Sequence, residues 1–104
     1  MHFLLMYDVA PDFAERRGQF RDEHLRLALA AAAAGDLVLA GSLEEPIEQA
    51  FLLFSGASPE AAKRFAEADP YVHHGLVNRW RVKRWNTVVG QWAASPIALP
   101  EKRL

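Results

Sequence analysis

The order of elements in the sequence predicts an α+β fold of the ferredoxin-like kind, β-α-β-β-α-β: a four-stranded antiparallel sheet with two helices on one face. Three observations predict it. Apolar stretches of strand length stand at residues 2–9, 37–43, 49–55 and 76–86. Two segments of helical period, opened by Asp12 and Ser58, separate the first stretch from the second and the third from the fourth. Between the second and third stretches stands only a short turn with Pro46, which suits a hairpin.

Taken in order, residues 2–9 are apolar at nearly every position, as in a central strand covered on both faces. Pro11 and Asp12 break the strand, and Asp12 is placed to cap a helix starting at Phe13. Phe13, Phe20, Leu27 and Ala31 fall on one stripe of that helix, and Gly35 stands at its C′ position. Leu37–Leu43 and Gln49–Ser55 form the hairpin. Ser58 and Pro59 open the second helix as N-cap and first helical residue, and Ala62, Phe65 and Ala66 form its buried face. The last strand, Leu76–Asn86, alternates. Val77, Arg79, Arg81, Lys83 and Trp85 point one way; Leu76, Asn78, Trp80, Val82 and Arg84 point the other.

The chain has 104 residues, enough for one domain: a core over 1–89 and an extended tail over 90–104. About half of the residues are apolar, at 51%, so a real core can be buried. Helices on one sheet face leave the other needing cover. The tail carries Trp92, Ile97 and Leu99, so the expectation is a homodimer or higher homo-oligomer in which sheet faces pair and the tail packs on the partner. The net charge of −1 argues against a nucleic-acid partner. There is no cysteine, which removes disulfides, thiolate nucleophiles and Cys-based zinc sites. The N-terminal stretch lacks the basic residues of a leader, and the Ala-rich run Leu27–Ala34 is too short to cross a bilayer. The expectation is a cytoplasmic protein without a membrane partner.

Few residues offer chemistry. His24 lies on the apolar stripe of the first helix, four after Phe20 and three before Leu27. It is either a satisfied core histidine or a general acid/base facing a pocket. Asp69 precedes Pro70, so it can cap a new helical turn, and a capping carboxylate is also a fixed anion that can orient a histidine. His73 and His74 are adjacent and match no metal-ligand spacing, so no metal is expected. Arg79 and Arg81 lie on one strand face, either solvated or placed to hold an anionic ligand. No phosphate loop, nucleophile elbow or HExxH motif is present.

Read together, several segments resemble one family. They are the first strand with Tyr7, then RDEHL (21–25), GDLVLAGSL (35–43), ADPYVHHGL (68–76) and RVKRW (81–85). In order and spacing they resemble the YCII-related proteins over roughly residues 1–89. The resemblance implies a dimeric α+β barrel similar to muconolactone isomerase. It also implies a pocket built on a histidine and an aspartate, which here match His24 and Asp69. Some members are linked to lyase-type dehydrochlorination of hydroxylated aromatics, with no metal or organic cofactor. The family often has Gly-Pro after the second strand, where this chain has Gly41-Ser42, and this changes the pocket rim.

The expectation is a cofactor-free lyase or isomerase that moves a proton on a small anionic or phenolic molecule. His24 and Asp69 are its catalytic pair, and Tyr7, Ser42, Tyr71, Arg79 and Arg81 its candidate substrate contacts. The alternative is a non-enzymatic ligand-binding or oligomerisation module of the same fold.

Overall fold

The computed structural model describes residues 1–100. Four strands, β1 (His2–Val9), β2 (Leu37–Ser42), β3 (Gln49–Ser55) and β4 (Val77–Trp85), form one sheet in the order β2-β3-β1-β4. Every neighbouring pair is antiparallel. Four helices, α1 (Phe13–Arg16), α2 (Arg21–Ala33), α3 (Glu60–Ala68) and α4 (Pro70–His73), complete the expected ferredoxin-like order.

The two-residue period of the strands divides the sheet into two faces. Leu5, Tyr7 and Val9 of β1 point to the helices with Leu52 and Phe54 of β3. Ala62, Phe65 and Ala66 of α3 close over them, as the period of that helix predicts. On the opposite, helix-free face, Leu4 faces Leu53 and Met6 faces Phe51 across the β1–β3 pair.

Two expectations need correction. The first helical segment is not continuous. It breaks into α1, a 3₁₀ turn over Arg17–Gln19, and α2. Phe13, Phe20 and Leu27 recur every seven residues and fit an unbroken helix equally well; the break falls at exposed Gly18, a poor helix former. Asp12 precedes α1 but makes no capping hydrogen bond; its carboxylate lies 3.7 Å from Arg16 instead. The second correction is at the start of β4. The register shifts between Asp8, opposite Arg79, and Val9, opposite Val77. Asn78 is the bulged residue, and Val77 turns into the core rather than lying with Arg79 and Arg81.

Glycine ends two helices, Gly35 as expected and Gly75 besides. After α2, Gly35 takes φ +85°, Asp36 N–H donates to Ala31 O and Gly35 N–H to Ala32 O. After α4, Gly75 takes φ +76° and Leu76 N–H returns to Tyr71 O. Both are Schellman closures that need a residue at ease at positive φ. α3 starts one residue later than expected, at Glu60 with Pro59 in the N-cap position, and the Ser58 hydroxyl just before it accepts from Glu60 N–H at 3.3 Å.

The tail forms a closed loop. Ser95 N–H donates to Thr87 O and Ile97 N–H to Val88 O, while Trp92, Val89, Ile97 and Leu99 stay exposed. Residues 101–104, the end of the expected tail, lie outside the described residues.

Candidate active site

Asp69 stands where α3 must stop. Pro70 has no N–H to give and disfavours helical backbone before it, so Asp69 is extended at φ −71° and ψ 123°. Its Oδ1 accepts from Tyr71 N–H at 3.0 Å and so caps α4. The same carboxylate takes two further donors. The Tyr7 hydroxyl donates to Oδ2 at 2.7 Å, and His24 Nδ1 donates to Oδ1 at 2.9 Å. A serine or asparagine would cap the turn, but only a carboxylate accepts all three bonds without presenting a donor of its own. Asp69 is fully buried, at 0% exposure, so each bond replaces lost water.

His24 reaches this carboxylate from α2. Its ring stacks on Tyr71 with centroids 3.9 Å apart and planes 12° apart, and meets Phe65 edge-on at 6.1 Å. Its side chain is 15% exposed. The carboxylate can only accept, so Nδ1 carries the hydrogen, and in the neutral ring Nε2 keeps its lone pair. Orientation and tautomer are therefore both set by Asp69.

His24 forms part of the wall of a cavity of about 250 Å³ between α2 and the sheet. The cavity exists because small residues, Ala28 on α2, Ala40 on β2 and Ala50 on β3, face one another where larger side chains would fill the layer. An apolar cavity of about 150 Å³ holds a benzene ring, so this one suits a single substituted ring. Tyr7 and Tyr71 form part of its wall, and the Tyr7 hydroxyl is turned to Asp69. Burial, and then the neighbouring Asp69 carboxylate, push the Tyr7 hydroxyl far above the usual tyrosine range, which keeps it a neutral donor.

The structure brings Tyr7, His24, Ser42 and Tyr71 together at the cavity, with Asp69 bonded behind them. Ser42 arrives there because it pairs with Ala50, in the helix-facing row of the sheet. Arg79 and Arg81 are not part of this group. They pair with Asp8 and Met6 of β1 on the helix-free face, and Arg81 bonds Asp8 at 3.2 Å. The cations on the cavity wall are Arg17 and Arg21. Neither arginine is among the candidates read from the sequence, although Arg17, Arg21 and His24 stand at i, i+4 and i+7.

His73 and His74 have packing roles. The His73 ring bonds the Glu67 carbonyl at the end of α3. His74 stacks on Phe20 at 4.1 Å, and its carbonyl accepts from Arg16 at 2.9 Å. Among the described residues, no three His, Cys, Asp or Glu side chains are grouped to hold a metal ion.

The chain belongs to the YCII-related domain family, which matches residues 1–86. Solved structures share its fold. The 5-chloro-2-hydroxyhydroquinone dehydrochlorinase TftG from Burkholderia phenoliruptrix AC1100, solved with 2,5-dihydroxybenzoquinone, superposes with a TM-score of 0.69 at 22% identity, covering 84% of this chain and 95% of that one. An uncharacterized NIPSNAP-like domain protein from Burkholderia xenovorans gives 0.56 at 19% identity, over 97% and 96% of the two chains. A NIPSNAP family protein from Agrobacterium tumefaciens str. C58 gives 0.56 at 14% identity, over 89% and 95%. No curated protein matches the chain. No helix among the described residues is long and apolar enough to cross a membrane.

Proposed function

We propose that this protein is a small cofactor-free enzyme of the lyase or isomerase type, acting on a hydroxylated or anionic ring. The observation that carries this reading is the His24–Asp69 bond of 2.9 Å at the cavity wall. Asp69 occupies Nδ1 and the ring lines the cavity, so Nε2 is the nitrogen left for a substrate. In the reaction, Nε2 takes the proton of a substrate hydroxyl as the O–H bond breaks. The freed electron pair forms a carbonyl, and the displaced ring electrons form a C–H bond with the returned proton. In that keto form, loss of a second hydroxyl's proton forms a second carbonyl and expels a leaving group, with its bonding pair, from the carbon that gained the hydrogen. No oxidant or reductant is needed. The Asp69 carboxylate stabilises the imidazolium that forms, as in other His-carboxylate pairs. TftG, a dehydrochlorinase of a hydroxyhydroquinone, lends this reading its substrate class.

The test is incubation with a panel of halogenated and plain phenols, followed by mass spectrometry. The expected result is a product that depends on the protein and disappears in His24→Ala. Saturable binding without a product would instead favour a ligand-binding module.

The same reading makes the protein a homodimer. Leu4, Met6 and Phe51 stay half-buried on the helix-free face of the sheet, and a second copy would cover them. The tail, with Trp92 and Val89 exposed, would then extend over the partner.

A further inference from the structure

The wall of the cavity includes two arginines that have no acidic partner among the described residues. Arg17, in the 3₁₀ turn, and Arg21, at the first turn of α2, line the same cavity as His24. Among the described residues, the ion pairs are Arg16 with Asp12, His24 with Asp69, and Arg81 with Asp8, so neither Arg17 nor Arg21 has an acidic partner. Arg17 is held in place by packing, its guanidinium carbon 5.8 Å from the centre of the Phe13 ring, which is itself in the cavity wall. The break in the first helical segment produces this arrangement, because Arg17 opens the 3₁₀ turn that interrupts it and Arg21 opens the helix that resumes after it.

Both charges are felt at the cavity wall. Burial raises Tyr71 above the usual tyrosine range; Arg21 pulls it down, Asp69 pushes it up, and Arg17 pulls it down again. The remaining wall is largely apolar, with Leu25, Ala28 and Leu52 among its residues. An anion entering this space would meet two fork-shaped donors in a partly desolvated setting, where charge-assisted hydrogen bonds are strongest.

We propose that Arg17 and Arg21 clamp the anionic group of the substrate, so that the molecule taken by this cavity is a single ring bearing both a hydroxyl and a carboxylate. This rests on the proton-transfer reading only for the hydroxyl. The clamp orients the ring with its charge at the two arginines and the hydroxyl toward His24. Cavity size sets the limit at one ring, and the unpaired arginines set the charge.

The experiment is a calorimetric comparison at low salt of 4-hydroxybenzoate and 2,5-dihydroxybenzoate with their uncharged amides. The acids are expected to bind roughly ten- to a hundredfold more tightly than the amides. The gap should narrow as salt is raised. It should fall below about twofold in the double variant Arg17→Gln/Arg21→Gln, and Arg17→Lys/Arg21→Lys should restore part of it. Equal affinity for acid and amide, a gap that survives the glutamine variant, or binding of neither ligand by the unmodified protein would overturn the clamp. If the glutamine variant does not fold, the lysine variant and the salt series decide the same question. His24→Ala is expected to keep the acid preference. A clamp that behaves as stated beside a His24→Ala variant with unchanged turnover would overturn the proton-transfer reading and leave the clamp standing.

Discussion

The Tyr7 hydroxyl donates to Oδ2 of Asp69 at 2.7 Å, joining residues 62 positions apart in the sequence. Tyr7 stands in the helix-facing row of β1 and is only 1% exposed; Asp69 caps the short helix that follows α3. The bond therefore ties the sheet to the α3–α4 junction and fixes the carboxylate on which His24 rests. Tyr7 positions the pair through Asp69, and its ring also forms part of the cavity wall.

Tyr7→Phe should keep the packing and lose this bond. The expected cost is about 2 kcal/mol, the range for hydrogen bonds to charged groups. In a domain of this size that is a fall of several degrees in melting temperature. The same variant should flatten the alkaline limb of stability. Tyr7 is raised in the folded state from an ordinary value of 10.0, so the folded chain keeps a proton that the unfolded chain loses. Stability is then full below about pH 10 and declines as pH rises above it. Urea midpoints measured from pH 8 to 11 should fall less steeply in Tyr7→Phe, with a residual slope from Tyr71, which burial also raises. Parallel pH profiles would contradict the role given to Tyr7.

Removing Asp69 should cost more than removing His24. Asp69→Ala uncaps α4 and leaves the buried Tyr7 hydroxyl without its acceptor, on the order of 2–4 kcal/mol together. His24→Ala leaves Asp69 with two donors and opens its third site to a cavity that water can enter. Melting temperatures of the two variants, measured side by side, should show the larger drop for Asp69→Ala. The reverse order would make His24 a packing residue first.

The parts of this site that could be read in the sequence are those that depend on neighbours along the chain. Asp69-Pro70 announces a cap, and the cap is there at 3.0 Å. Ala62, Phe65 and Ala66 announce a buried helix face, and α3 buries all three. The unreadable parts depend on which sheet face the helices cover. Arg79 and Arg81 look as suited to an anion as Arg17 and Arg21 do, and only the packing of α2 over the Tyr7 row separates them. The Asn78 bulge escaped for a similar reason: Val77 fits either face by alternation, and its partner Val9 decides. His73 and His74 look like chemistry as an adjacent pair, but each ring has a packing partner, the Glu67 carbonyl and Phe20.

The helix-free face has its own pH signature. A hydrogen bond from Gln49, and then the Arg81 charge, hold the Asp8 carboxyl below its ordinary value of 3.8. A lowered folded value means that the contribution is present above about pH 4 and is lost as pH falls through the folded value. Asp8→Asn should therefore melt less steeply with acid between pH 5 and 2 than the unmodified chain. The effect should be small and should shrink in salt, because Asp8 and Arg81 are both about one-third exposed, at 34% and 31%. An unchanged acid slope would show that this pair is not formed in solution.

The same face should control assembly. Met6 and Phe51 face each other at its centre, between β1 and β3, and neither is covered by a helix of this chain. If a second copy covers them, a charge placed there must be desolvated against an apolar surface, which costs far more than one exposed on a monomer. Light scattering after size-exclusion chromatography should give twice the chain mass for the unmodified protein. It should give the chain mass for Phe51→Asp, with the helix-facing core and the His24–Asp69 bond on the other side of the sheet left in place. A monomeric unmodified protein, or a Phe51→Asp variant that stays dimeric, would mean that the sheet face is not the interface. The exposed apolar residues of the tail loop, Val89 and Trp92, would then be the next surface to mutate.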